Sequence, residues 1–274
     1  MAEPDVAEPD VIKPDLADAD PAEPDVAELA CWRLECAYDG TPFSGWAKQP
    51  GRRTIEGELE KALAQVLSEP VRLGVAGRTD AGVHALGQVV SFSTVARGLE
   101  AQSLRLSLNA LLPAEIAVTG LVAAAAGFDA RAAVARTYRY RVWLPDTRPV
   151  FERHYVWNVR GAVDLSLLAE AAALLPGRRD FAALTPSASG YRTCEREVVR
   201  AQWCLAADSR EARFEITAGS FLHNMVRVAV GSMVDVAQGR RSMAELAAGL
   251  AGGQRCELGL TAPASGLALL RVDY

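Results

Sequence analysis

VRLGVAGRTDAGVHALGQVVSFST, residues 71–94, carries two hydrophobic runs rich in Val and Phe, Val71–Ala76 and Gln88–Thr94, on either side of a glycine-bearing segment. Both runs read as strands. The segment between them is too short for the crossover helix that a parallel pair requires, so the chain does not build an all-parallel sheet. Upstream, Leu34, Cys36 and Tyr38 alternate with Glu35, Ala37 and Asp39 as in a half-buried strand that turns at Asp39-Gly40. Thr54 then stands as an N-cap, with Glu56 and Glu58 in the first turn and Leu59, Leu63, Val66 and Leu67 at helical spacing, up to Glu69-Pro70. Downstream, Ser103–Leu112 reads as a helix and Ile116–Val122 as a strand. The order β-α-β-β-α-β predicts an α/β-sandwich of ferredoxin-like topology.

A second unit of the same kind follows a boundary near Gly127–Val134. Thr137–Leu144 reads as a strand, Ser166–Leu175 as a helix, and Val198–Ala206 with Ala212–Ala218 as an antiparallel pair around the turn Asp208-Ser209-Arg210. Phe221–Gln238 reads as a long apolar helix, Met243–Leu250 as a short one and Gly266–Tyr274 as a closing strand. The expected class is α+β: two sandwich domains, 31–129 and 130–274, with largely antiparallel sheets facing a central cleft.

Residues 1–30 stand apart. A five-residue repeat runs through AEPDV at 2–6 and 7–11, IKPDL at 12–16, a degenerate ADADP at 17–21 and AEPDV at 22–26. Frequent proline, mutually repelling carboxylates and few apolar side chains predict a disordered acidic tail that acts as a solubilising spacer. Ten acidic residues against Lys13 give the tail a net charge of −9, so the −5 of the whole 274-residue chain leaves +4 on residues 31–274. A mildly basic body permits a polyanionic ligand.

Five cysteines (31, 36, 194, 204 and 256) form no CxxC pair, and with three histidines (84, 154 and 223) they offer no zinc spacing. They read as small buried hydrophobes in a reducing compartment. No run approaches the roughly 20 apolar residues of a membrane helix, and the N-terminus lacks a signal peptide's basic start and apolar core. The expectation is a soluble, cytoplasmic protein with no metal and no small-molecule cofactor.

The chemistry centres on Gly77-Arg78-Thr79-Asp80-Ala81-Gly82-Val83-His84-Ala85. Gly77 and Gly82 allow positive φ and close approach of another chain, so a bulky ligand can reach Asp80; an Asx-turn in which Asp80 only caps the loop fits the same spacing. Arg227 lies in the apolar run 221–236, where a guanidinium is expensive to bury without a carboxylate. A site and a structural pair with Asp235 or Glu215 both answer that need. Tyr138 and Tyr140 share one strand face, suited to a base or to the core.

The segment GRTDAGVHALGQVVSF at 77–92 resembles the active-site motif of the TruA family of tRNA pseudouridine synthases. The resemblance continues in order through Tyr38-Asp39-Gly40 with Phe43, Gly45 and Trp46, RTIEGELEKAL at 53–63, LNALLP at 108–113, FDARAAVARTYRY at 128–140, SFLHNMVRVAVGSM at 220–233 and TAPASGLALLRVDY at 261–274. It covers residues 32–274, with departures from the family's usual pattern at Glu56, Arg179 and Leu184. It implies the pseudouridine synthase fold, isomerisation of uridine at positions 38–40 of the tRNA anticodon stem-loop, and a homodimer. It also implies Asp80 as the catalytic aspartate, Arg227 as its partner and Tyr138 as the ring that packs on uracil.

The uracil must leave its ribose and rejoin through carbon 5, and a carboxylate serves this as nucleophile or base. Attack on the sugar, addition to the ring and removal of the ribose 2′ proton all remain open. RNA must also be gripped by its phosphates. Arg78 leads that set by its proximity to Asp80, followed by Lys48, Arg52, Arg53, Arg131, Arg136 and Arg139; His84 is either a donor to RNA or a structural histidine. Two other classes fit parts of the pattern: an RNA-binding module with no chemistry, and a glycoside hydrolase, which would need a second acid beside Asp80.

Overall fold

A computed structural model describes residues 29–186, 188–205, 210–252, 255 and 258–274. The acidic repeat up to residue 28, Cys256 and the turn residues Asp208-Ser209 lie outside the described residues. Among the described residues, ten strands and five α-helices follow in the order β1 (Ala30–Tyr38), α1 (Ile55–Leu67), β2 (Gly74–Val75), β3 (His84–Thr94), α2 (Ala101–Leu111), β4 (Ile116–Ala123), β5 (Ala135–Trp143), β6 (Trp157–Asn158), α3 (Leu165–Ala172), β7 (Gly177–Asp180), β8 (Glu195–Leu205), β9 (Glu211–Ala218), α4 (Met225–Ala237), α5 (Met243–Gly252) and β10 (Leu267–Asp273).

The strands form one mixed sheet in the order β4-β1-β3-β10-β5-β9-β8-β7, with β2 beside β3 and β6 beside β5. Most pairings are antiparallel; β10 with β3 and β5 with β6 are parallel. The C-terminal strand β10 sits between β3 and β5, so it joins the sheet's two halves. On β1 the buried side chains Trp32, Leu34, Cys36 and Tyr38 alternate with half-exposed ones and share a core with Leu59 and Leu63 of α1 and Leu104 and Leu108 of α2. Tyr140 and Val142 of β5, Phe214 and Ile216 of β9, Leu168 of α3 and Val230 of α4 continue that core. Burial of these side chains, at roughly 1.5–3 kcal/mol for each large aliphatic or aromatic one, dominates the fold's stability.

Thr54 caps α1 as expected, its side chain accepting from the Gly57 amide. Three elements differ from expectation in their bounds, and two were not expected at all. The strand at 71–76 shortens to two residues, because β3 gives β2 only Val90 and Ser91 as partners before the chain departs. The helix at 221–238 begins at Met225, since Asn224 holds a left-handed φ of 60° that a right-handed helix cannot contain. Arg227 therefore lies in the first turn of α4, not its middle. The helix at 166–175 ends at Ala172, ahead of Pro176. Two strands, β6 and β7, were not expected: one has two residues, and the other, Gly-Arg-Arg-Asp, is exposed throughout and shows no apolar alternation.

β3 positions the site by changing partner. Its first residues, His84 and Ala85, pair with β10, and Val90 and Ser91 pair with β2 on the same side. The loop 76–83 leaves the sheet in the gap between them.

Candidate active site

Loop 76–83 is fastened to its surroundings on several sides. Arg136 Nε and Nη2 donate to the Ala76 carbonyl at 2.9 and 2.6 Å. The buried Gln88 amide donates to Gly77 O at 2.7 Å and to the Tyr38 hydroxyl at 3.2 Å. Tyr38 in turn meets the Thr79 hydroxyl at 2.8 Å, and the Trp46 amide donates to Thr79 O at 2.9 Å. The Val83 amide closes the turn on Asp80 O at 3.1 Å. The backbone on both sides of Asp80 is thereby fixed, while its carboxylate stays open, with 35% of the side chain exposed.

Two glycines outside the loop let it sit where it does. A Cβ on Gly40 would fall 2.0 Å from Val83 O, and one on Gly45, which has φ +93°, would fall 2.9 Å from Thr79 O. Of the loop's own glycines, Gly82 has positive φ, and Gly77 is approached by the Tyr138 hydroxyl.

Asp80 borders a pocket of about 350 Å³ whose lining includes Arg78, Thr79, Tyr138, Tyr191, Phe221, His223 and Asn224. A second, more polar pocket of about 570 Å³ meets it at Arg78, Thr79, Asp80, His223 and Asn224, and extends to Arg227, Trp46 and Gln49. Tyr138 forms an apolar wall with Phe221, ring centroids 5.1 Å apart and nearly perpendicular. Burial, and secondarily the charge of Asp80, push the Tyr138 hydroxyl pKa up, so the phenol keeps its proton at neutral pH.

Arg227 Nη1 stands 3.9 Å from Asp80 Oδ2, and His223 Nε2 3.7 Å from Oδ1. Neither reaches hydrogen-bond distance. The structural partners considered for Arg227 are engaged elsewhere, Asp235 with Arg240 and Glu215 with Arg139. The four residues singled out in the sequence, Asp80, Arg227, Tyr138 and Arg78, thus meet at one cavity system. Tyr140 is fully buried, its hydroxyl donating to Pro263 O at 2.7 Å. His223, Asn224, Phe221 and Tyr191 were not singled out. Their signal lay in the polar His-Asn step that interrupts the apolar run before Met225.

Among the described residues, no three His, Cys, Asp or Glu side chains converge to hold a metal ion. Residues 36–131 and 171–274 match the family model described as tRNA pseudouridine synthase. The chain belongs to the tRNA pseudouridine synthase family. It is 42% identical over 247 residues to the tRNA pseudouridine synthase A of Geobacillus kaustophilus, covering 88% of this chain and 94% of that one. Its identity to the enzyme of the same name from Syntrophotalea carbinolica is 42% over 244 residues, covering 88% and 95%. To that of Moorella thermoacetica it is 39% over 249 residues, covering 90% and 100%.

For a member of this family, the basic side chains around the cavity matter next. Arg78 is exposed and makes no ion pair among the described residues, and Arg52 is exposed as well. Arg136 is buried, its guanidinium spent on the carbonyls of Ala76, Arg131, Ala133 and Gly219, so it is not available to a phosphate. Lys48 pairs with Glu60, Arg53 with Glu58 and Glu115, Arg131 with Asp129 and Arg139 with Glu215. His84 is buried: its Nδ1 accepts from the Gly40 amide and its Nε2 faces His154 O, both at 3.0 Å, so it serves the structure and does not face the cavity. Asp39 lies beside His84, and Asp180 caps the Ala182 amide; neither lines the Asp80 pocket. No described helix is long and apolar enough to cross a membrane.

Proposed function

We propose that this synthase isomerises uridine at positions 38–40 of the tRNA anticodon stem-loop, with Asp80 as the acting carboxylate. The observation that carries the reading is a half-open carboxylate at the mouth of a pocket of about 350 Å³ with an aromatic wall and a cation 3.9 Å away. That volume suits one extruded nucleoside. Tyr138 and Phe221 hold the uracil ring, Arg227 supports the charge of Asp80 in a site the base makes dry, and Arg78 meets the RNA backbone. The N1–C1′ bond breaks, C5 bonds to C1′ and gives up its proton, and N1 takes one up, so no net reductant or oxidant enters.

Asp80 is the one carboxylate among the described residues lining either pocket, which weighs against a two-carboxylate glycoside hydrolase. The reading extends to a cytoplasmic homodimer. Free thiols at Cys31, Cys36, Cys194 and Cys204 suit a reducing compartment, and exposed Leu86, Val150 and Phe151 offer apolar surface for a second copy. The deciding experiment is tritium release from tRNA labelled at carbon 5 of uridine, comparing wild type with Asp80→Asn. Release by wild type and its loss in the variant, with tRNA binding kept, supports the assignment. Binding by both without release would turn the reading to an RNA-binding module.

A further inference from the structure

Tyr191 lines the pocket beside Asp80 and comes from the connection between β7 and β8, just after the short 3₁₀ turn Ala188–Gly190. It is half-buried and held by three contacts. Its backbone amide donates to Ala188 O at 3.1 Å, the Arg196 guanidinium lies 5.6 Å over its ring, and its hydroxyl oxygen accepts from the main-chain amide of His223 at 2.8 Å. The last contact has one possible direction, because a backbone N–H only donates. It therefore holds whatever the imidazole of His223 does, and it leaves the phenol's own proton to point elsewhere. Among the described residues that proton has no acceptor. Other polar groups lining the pocket are committed: the Thr79 hydroxyl meets Tyr38, and Arg136 holds main-chain carbonyls. A phenol that already accepts from an amide is polarised toward donating.

We propose that Tyr191 is a base-recognition residue: its hydroxyl, anchored by the His223 amide, donates to a carbonyl oxygen of the extruded uracil. This rests on the reading of the pocket as the uridine site. The symmetry of uracil makes one fixed donor suit the whole reaction. A half-turn of the detached ring about the line from N3 to C6 exchanges N1 with C5 and, in the same motion, O2 with O4. The carbonyl that leaves Tyr191 is replaced by the other carbonyl in the same place. The donor is thus satisfied in uridine and again in pseudouridine, and no side chain has to move between the two. Without the hydroxyl, a carbonyl shut into the pocket is left unpaired, which costs more than an ordinary hydrogen bond gains.

Tyr191→Phe removes the hydroxyl and keeps the ring beneath Arg196. On an RNA stem-loop with one target uridine tritiated at carbon 5, Y191F should lose about 10-fold in kcat/KM, the order of one hydrogen bond left unmade. Losing the acceptor of the His223 amide also loosens the loop, and that alone lowers the rate, so the deciding readout is a coupling. Stem-loops with 4-thiouridine or 2-thiouridine at the target replace one carbonyl oxygen by sulfur, a weaker acceptor. The effect of sulfur on the ring's own reactivity is common to both proteins and cancels in the comparison. For at least one of the two substrates, sulfur should slow wild type by about 10-fold more than it slows Y191F. Equal sulfur effects in both proteins for both substrates, or an undiminished rate of Y191F on uridine, overturn the proposal. Wild type that releases no tritium from any stem-loop overturns the assigned reaction instead. The same comparisons are then read as binding affinity, where a sulfur penalty confined to wild type supports the contact of Tyr191 and equal penalties overturn it.

Discussion

Arg227 stands 3.9 Å from Asp80 with its guanidinium already committed: Nε donates to Ala262 O at 2.8 Å and Nη1 to Asn224 Oδ1 at 2.7 Å. The cation is therefore held by the protein and not by the carboxylate, which leaves Asp80 free to reach a substrate. A lysine keeps the charge but lacks the planar fork that serves both acceptors at once. Arg227→Lys should lower kcat by about 10²-fold, the order expected when a charge is displaced by an ångström, with KM little changed. Single-turnover kinetics with labelled tRNA would show it. Near-wild-type turnover in the lysine variant would mean that charge alone suffices and that the fixed geometry is incidental.

Tyr138 presents two separable features, its ring against Phe221 and its buried, protonated hydroxyl beside Gly77. Tyr138→Phe keeps the ring. If the hydroxyl takes part in the proton transfer at carbon 5, this variant should bind tRNA normally and lose turnover by about 10²–10⁴-fold, the usual range for a general acid or base. Tyr138→Ala should also cost about 3–5 kcal/mol of stability by emptying a buried aromatic site, read as a fall in Tm. A phenylalanine variant of undiminished rate would restrict Tyr138 to stacking.

Local features were readable from the sequence where one residue's chemistry forces its surroundings. The Thr54 cap and Asp80 between two strands followed from turn and capping chemistry; the apolar run around Arg227 predicted a carboxylate partner, and Asp80 stands 3.9 Å away while Ala262 O and Asn224 Oδ1 take the hydrogen bonds. Long-range pairing was not readable: nothing in residues 267–273 says that they lie between β3 and β5. Apolar Phe221 and Leu222 continue the helical period of α4, so the period alone hides the left-handed break at Asn224. Arg136 read as a surface cation because two of its four acceptors, the carbonyls of Ala76 and Gly219, are distant in sequence and invisible to any local pattern.

Arg78 is exposed at both pockets and free of ion pairs among the described residues. A side chain that meets a phosphate displaces counterions, and its loss should reduce the salt dependence of binding. Arg78→Ala should weaken tRNA binding and lower the slope of log K against log salt by about 0.7–0.9, the value for one phosphate contact. Filter binding across a salt series measures it. An unchanged slope with weaker binding would assign Arg78 to a base or to the extrusion step.

His84 begins β3 four residues after Asp80, pairs with Ala268 of β10, and is buried with Nδ1 accepting from Gly40 and Nε2 donating to His154 O. Burial lowers its pKa from the ordinary 6.5, against the smaller opposing pull of Asp39. With the folded value below the unfolded one, the unfolded chain takes up the proton first as pH falls. The stability His84 contributes is thus complete above about pH 6.5 and drains away as pH drops from there toward the lowered folded value. His84→Asn, which keeps an acceptor for the Gly40 amide, should be less stable than wild type at pH 7.5. The gap should narrow on acidification by about 1.4 kcal/mol for each unit by which the folded pKa is lowered. Urea denaturation between pH 7.5 and 5 measures both curves. Parallel curves would remove His84 as a source of the acid sensitivity, whereas converging ones would tie the loosening of the catalytic loop's C-terminal anchor to a single buried imidazole.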